Sequence, residues 1–186
     1  MLDFSSWPGI IVELGMGDGR LLESLAKRDG DSLYVGIELD REQCRRAQSR
    51  IMLGNVEILN GSFEDILPTF PDRSVDRFIA VLPDPAYIDE KKQELWIPFY
   101  RVVFEKLKEA GTLELITEIT DELFQPVSEK AYRKWAGWLK SVFLSMGFSV
   151  KREQEGAPDR YRSRCIDQFR GDPERIRMIT LELEKR

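Results

Sequence analysis

The chain has 186 residues, 42% of them hydrophobic and 33% charged, with a formal net charge of −5. That length suits one domain over residues 1–186, with a full hydrophobic core, and the composition is that of a soluble globular protein. No apolar run approaches the roughly 20 residues of a membrane helix, and the acidic balance argues against extensive phosphate contact while leaving a local basic face open.

Apolar runs alternate with amphipathic stretches, the pattern of a parallel sheet covered by helices. Strands are expected at residues 10–14, 32–38, 56–59 and 74–82, and at 112–117 after a turn at Ala110 and Gly111. Helices are expected at 19–28, at 40–52 with Asp40 as N-cap, at 63–67 ended by Pro68, and at 91–108. A helix at 129–146 carries Trp135 and Trp138 and is broken by Gly147. Strands at 148–152 and 175–183 follow. Trp96, Phe99, Tyr100 and Phe104 recur at helical spacing and read as core packing. There is no linker, internal repeat or low-complexity segment.

The chain contains no histidine, so proton transfer falls to Asp, Glu, Tyr, Lys, Cys or substrate groups. Its two cysteines, Cys44 and Cys165, have no metal-ligand spacing, and no metal is expected. The start, Met1-Leu2-Asp3-Phe4, lacks the basic region and apolar core of a signal peptide. Reduced thiols in a cytoplasm are therefore the expectation.

Residues 12–20 read V-E-L-G-M-G-D-G-R, directly after an apolar run and before a helical one. A nucleotide-type ligand needs a backbone that turns tightly at a strand's end and approaches with no Cβ in the way. Gly15, Gly17 and Gly19 supply that, and Glu13 precedes them. The next apolar run ends at Glu38, where an open α/β sheet holds a carboxylate against ribose hydroxyls. After the third strand, Ser62 and Phe63 are candidate ligand contacts. A helix N-cap by Ser62 with Asp65 is an equal reading, and both can coexist.

The loop after the fourth strand, A-V-L-P-D-P-A-Y at 80–87, sits where open sheets do their chemistry. Pro83 and Pro85 stiffen it and fix where Asp84 points, and Leu82 is a candidate ligand contact. Asp84 could orient a nucleobase or accept its proton; the bland alternative is a rigid turn with Asp84 as a cap.

The E-x-G-x-G-x-G loop with Glu38 resembles S-adenosylmethionine-dependent methyltransferases over about residues 10–150. The resemblance implies an α/β fold with a Rossmann-like seven-stranded sheet and helices on both faces. It also implies S-adenosylmethionine as cofactor, with Glu13 near its methionine end. Pro83-Asp84-Pro85 followed by Lys91, Lys92 and Leu95 resembles the P-D-P-W loop of tRNA (guanine-N7)-methyltransferases. Residues 107–111 resemble their L-x-P-G-G turn, and Thr117-Glu118 falls where they have Thr-Asp. That likeness implies that Asp84 and Glu118 hold the guanine edge as the catalytic pair. Ala86 stands in place of their tryptophan, and their histidine and basic N-terminal extension have no counterpart. Asp84-Pro85-Ala86-Tyr87 also resembles the D-P-P-Y motif of enzymes acting on exocyclic amines of bases or on glutamine, where Tyr87 would stack on a planar substrate. The Gly-Asp-Gly loop is similar to that of aminoglycoside-resistance rRNA methyltransferases.

Arg160, Arg162 and Arg164 alternate around Tyr161, which on an extended segment puts all three on one side, facing phosphate, with Tyr161 free to stack on a base. With Pro85, Tyr87, Lys91 and Lys92 they form the candidate substrate face. The leading expectation is methylation of a base in RNA, tRNA first. A small planar metabolite, a protein side chain or a cofactor-binding partner subunit are the alternatives; a homodimer is left open, and no membrane partner is expected.

Overall fold

The computed structural model describes residues 4–121, 123–161 and 163–186, without the Arg164 side chain. Seven strands, β1 (Gly9–Leu14), β2 (Ser32–Glu38), β3 (Val56–Asn60), β4 (Val75–Val81), β5 (Leu107–Thr120), β6 (Phe148–Glu155) and β7 (Ile176–Lys185), form one sheet in the order β3-β2-β1-β4-β5-β7-β6. The first five pair in parallel, and β7 runs antiparallel between β5 and β6. The chain moves outward from β1 to β3 and then crosses back to β4. Strand order therefore reverses between β1 and β4, and the carboxyl ends of these two strands open a crevice.

Helices α1 (Arg20–Ala26), α2 (Arg41–Arg50), α3 (Phe63–Ile66), α4 (Gln93–Lys106), α5 (Glu129–Ser145) and α6 (Arg164–Arg170) cover both faces. Side chains alternate along each strand, so each face has its own core. Val12, Phe78 and Leu115 pack with Trp96, Tyr100, Leu139 and Phe143 of α4 and α5. Ile11, Ile79 and Ile116 pack with Leu22, Ala47 and Ile166 of α1, α2 and α6. Fully burying one such side chain stabilises the fold by about 1.5–3 kcal/mol. The expected seven-stranded sheet with helices on both faces is the observed one. Among the described residues no helix is long and apolar enough to cross a membrane.

Local chemistry explains the element ends. Asp40 caps α2, accepting from the amides of Glu42 (2.7 Å) and Gln43 (3.1 Å). Gly147 follows α5 at φ +103°, a conformation that favours glycine. Pro68 does not end the structure after α3; it opens a 3-10 turn, Leu67–Thr69, where its missing N–H is harmless. Helix α4 starts at Gln93 because Asp89 caps a separate 3-10 turn, Glu90–Lys92, before it. The turn expected at Ala110 and Gly111 is a bulge inside β5: pairing jumps from Val75 opposite Leu107 to Arg77 opposite Thr112.

The larger departure is α6. Asp159 and Arg160 lie in a turn, and Arg164 already begins a helix, started by the Ser163 hydroxyl, which accepts from the Ile166 amide (3.1 Å). Burial of Ile166 and Tyr161 against the sheet outweighs the alternating pattern of the arginines.

Candidate functional site

Gly15, Gly17 and Gly19 all have positive φ, at +71°, +55° and +72°. The Gly15 and Met16 amides both donate to the Ile37 carbonyl (2.9 and 3.1 Å), tying the loop to β2. The Gly17 amide donates to Glu38 Oε2 (2.9 Å), and the Asp40 amide donates to Glu38 Oε1 (2.8 Å). Two backbone donors thus fix the Glu38 carboxylate at the cleft. A Cβ on Gly17 would meet nothing within 4 Å, so that position opens onto free space. A Cβ on Gly19 would lie 3.2 Å from Ala47 Cβ and 3.1 Å from Ile51 Cδ1. Gly19 therefore permits close packing of the loop on α2, and its bare face is turned away from the cleft.

Two cavities meet at the loop. One, of about 260 Å³, is lined by Glu38, Leu39, Ser62, Phe63, Asp84 and Tyr100 among others. The second, of about 570 Å³, is lined by Glu13, Gly17, Asp18 and Arg50, and by Ser163, Cys165 and Ile166 around the start of α6. They share Gly15, Val81 and Leu82. The smaller falls below the roughly 300–1,000 Å³ of a typical ligand site, so a ligand of metabolite size must use both.

Glu13 is buried, and its Oε2 has no hydrogen-bond partner among the described residues. Desolvation, with smaller contributions from the charges of Asp18 and Glu38, pushes its pKa up to about 8 against an opposing backbone hydrogen bond from Leu22. Glu118, near the carboxyl end of β5, likewise has an unpartnered buried Oε2, and burial raises its pKa to about 7. Strand alternation puts it on the α6 face with Ile116, outside the walls of both cavities.

The loop after β4 is bent sharply. Leu82 has φ +50°, a left-handed conformation that strains a leucine by about 1–3 kcal/mol, and its amide donates to Ile116 O (2.8 Å). Asp84 is exposed at the cavity mouth and accepts from the Ala86 amide (2.8 Å), capping the 3-10 turn Pro85–Tyr87. Tyr87 donates to Glu64 Oε1 (2.6 Å), and its ring packs edge-on against Phe63 (5.6 Å) and Phe99 (5.1 Å). It builds the cavity wall, and its phenol is already engaged. Ser62 accepts from the Asp65 amide (3.2 Å) and donates to Asp65 Oδ2 (2.8 Å). Both capping alternatives therefore hold, and both residues also line the cavity.

The basic segment is mostly committed inward. Tyr161 is fully buried and donates to Glu114 Oε2 (2.6 Å), so it is no stacking platform. Arg160 donates to Glu114 Oε1 (2.7 Å) and lies 4.8 Å over the Tyr161 ring. Arg77 also donates to Glu114 and, at 2.7 Å, to the Tyr161 hydroxyl. Arg162 lies outside the described residues. Lys91 and Lys92 form the turn before α4, and Lys92 rims a separate groove lined by Glu64, Ala86 and Leu95. Sequence reasoning missed the Glu114 network, α6 and Tyr100; an acid inside the apolar run 113–116 was the one visible hint.

Residues 8–137 match a protein family described as putative methyltransferase. The chain belongs to this family. A tRNA (guanine-N(7)-)-methyltransferase of Campylobacter fetus subsp. fetus is 33% identical over 109 residues, 57% of this chain and 28% of that protein. The chain thus spans little more than a quarter of that relative's length. One from Geobacillus kaustophilus is 26% identical over 170 residues, 89% of this chain and 75% of that protein. Among solved structures, M. jannaschii TYW2 in complex with AdoMet aligns with a TM-score of 0.61 and 18% identity, covering 98% of this chain and 72% of that one. The residues of this cleft fit S-adenosylmethionine. Glu38 offers acceptor oxygens to a ribose diol beside an apolar slot, and the unpartnered Glu13 carboxyl lies in the other half, where an ammonium group would satisfy it.

Proposed function

We propose that this methyltransferase transfers the methyl group of S-adenosylmethionine to a nucleobase in RNA, with guanine N7 of tRNA as the substrate to test first. The observation that carries the reading is the Asp84 carboxylate, held by the Ala86 amide at the mouth of the two-part cleft. The names of the relatives supply the substrate class. When bound, the cofactor supplies an electrophilic methyl group on a sulfonium.

The protein's own contribution is chiefly alignment, because guanine N7 already carries a lone pair. Glu38 accepts from the ribose hydroxyls, Ser62, Phe63 and Leu39 enclose the adenine, Gly15 and Gly17 let the backbone approach, and Glu13 receives the ammonium group. Asp84 accepts from the N–H edge of the base and orients it, with Glu118 as a second carboxylate at the end of β5. Lys91, Lys92, Arg162 and Arg164 supply phosphate contact.

Radiolabel transfer to total tRNA, ribosomal RNA and a metabolite extract tests the reading, with Asp84→Ala as control. Label should enter the tRNA fraction, and the variant should retain cofactor binding while losing about 10- to 150-fold in turnover. That range is the contribution of a hydrogen bond to a charged group, about 1.5–3 kcal/mol. Label in the extract alone would favour a small planar metabolite instead, a second reading supported by the net charge of −5 and by the engagement of Arg160 with Glu114.

Glu13 gives the site a pH dependence. Its pKa of about 8 leaves the carboxyl neutral in the empty site at neutral pH. An ammonium ligand favours the carboxylate, so binding expels a proton, and affinity should rise up to about tenfold per pH unit from pH 6 to 8. Folding alone carries the opposite sign: a raised carboxyl takes up a proton on folding, so the empty protein should lose stability as pH rises from about 4.5 to about 8. Calorimetric titration with S-adenosylhomocysteine across that window checks the first slope. Glu13→Gln should flatten it, and a variant with the wild-type slope would move the effect to another group.

A further inference from the structure

The wall of the smaller cavity contains a polar atom that no described residue satisfies. Tyr100, on α4, is 0% exposed, lines the cavity with Ala80, Leu82 and Asp84, and its hydroxyl has no hydrogen-bond partner among the described residues. The ring is held edge-on by Trp96 (5.6 Å), Phe99 (4.9 Å) and Phe143 (5.0 Å), which fixes where the phenol sits. Trp96 is itself anchored, its Nε1 donating to the Asp89 carbonyl (2.9 Å). Burial keeps the hydroxyl protonated across the physiological range.

Packing requires only the ring. A buried hydroxyl without a partner destabilises a core relative to phenylalanine, which keeps the ring and loses only the oxygen. The hydroxyl itself is closed off from solvent, so a ligand seated in this cavity satisfies it only with a small adjustment of the surrounding wall. Its neighbours there, Glu38, Leu39, Ser62 and Phe63, come from the ends of β2 and β3 and form the half suited to a nucleoside. The edge of a purine offers both N–H donors and ring-nitrogen acceptors, and a phenol answers either one.

We propose that Tyr100 is a further specificity-determining residue for the cofactor, its hydroxyl hydrogen-bonding the edge of the adenine ring. The inference rests on reading this cavity as the adenosine half of the cleft and is independent of the identity of the methyl acceptor. It gives α4 a ligand contact in addition to its packing role.

The test is Tyr100→Phe, with S-adenosylhomocysteine and adenosine as calorimetric probes and thermal melting with and without ligand. Both probes should bind about 3- to 10-fold more weakly, the equivalent of one neutral hydrogen bond. The empty variant should melt at the same temperature as the wild type or higher, and its ligand-induced shift should be smaller. A purely structural hydroxyl produces the reverse: a lower melting temperature for the empty variant with affinity intact, which would overturn the proposal. Intact cofactor affinity with a raised KM for the acceptor would reassign the hydroxyl to the acceptor and equally overturn it. Failure of the wild-type chain to bind either probe would remove the adenosine assignment of the cavity and the proposal with it, whereas failure of the RNA reading alone would leave these binding results unchanged.

Discussion

Gly17→Val is expected to weaken S-adenosylhomocysteine binding by at least about a hundredfold while the protein still folds. Gly17 sits at φ +55°, and a β-branched side chain there is strained by about 1–3 kcal/mol. The loop then has two responses. If it keeps its conformation, the valine projects into the open space facing Gly17, where a Cβ meets no protein atom within 4 Å. That space belongs to the cavity Gly17 lines with Glu13 and Asp18, and a ligand can no longer occupy it. If the loop relaxes instead, the Gly17 amide leaves Glu38 Oε2, and the carboxylate loses one of its two backbone donors. Both routes remove the site, one by filling it and the other by releasing Glu38. The hydrophobic cores lie under the sheet and not at the loop tip, so the melting temperature should fall only modestly. Calorimetric affinity within threefold of the wild type would show that Gly17 does not face the ligand.

The sheet was readable because its signals are periodic and local. Apolar runs of strand length alternate with amphipathic stretches, and β2 falls at the expected residues, Ser32–Glu38. Glu38 was readable for the same reason, since its position follows from the end of a strand. Parts that depend on distant residues were not readable. The partners of Glu114 come from Arg77 on β4, from Arg152 on β6 and from Arg160 and Tyr161 beyond β6. No sequence pattern links positions that far apart, so the arginines read as a solvent-facing stripe. Helix α6 was hidden by the same alternation, although Ser163 followed by Ile166 and Phe169 is a short capped helical pattern. Tyr100 illustrates a different limit. Helical spacing identifies a buried ring, but whether its oxygen finds a partner is a property of the cavity. Asp84 and Ser62 each admit two readings, as caps and as site residues. The caps are formed, and a carboxylate's second oxygen or a hydroxyl's remaining lone pair leaves room for a ligand contact as well.

Glu114→Ala is expected to destabilise the protein by about 3 kcal/mol, the lower end of the roughly 3–5 kcal/mol for breaking a buried ion pair from one side. The lower end applies because the side chains of Arg77 and Arg160 are 34% and 37% exposed, so water rehydrates both when the carboxylate is gone. The Tyr161 hydroxyl is buried and keeps its bond from Arg77 while losing its acceptor. The loss is not confined to β5. Arg160 and Tyr161 lie directly before the Ser163 cap of α6, and Arg170 at the other end of that helix donates to the carbonyls of Ala157 (3.1 Å) and Pro158 (2.7 Å). Arg160 and Tyr161 therefore fasten this part of the chain to the sheet through Glu114, and Arg170 ties the end of α6 back to Ala157 and Pro158. Ser163, Cys165 and Ile166 of this segment wall the cavity that holds Glu13. Loosening the segment should raise hydrogen exchange at 163–170 and weaken S-adenosylhomocysteine binding, while exchange in β1 and β2 stays slow. Glu114→Gln keeps one acceptor oxygen and removes the charge, so it should fall between the wild type and alanine in urea denaturation. A loss below about 1 kcal/mol for alanine, or exchange rising equally across the sheet, would mean that Glu114 does not fasten this segment. The carboxylate on β5 would then be a satisfied core group with no bearing on the cleft.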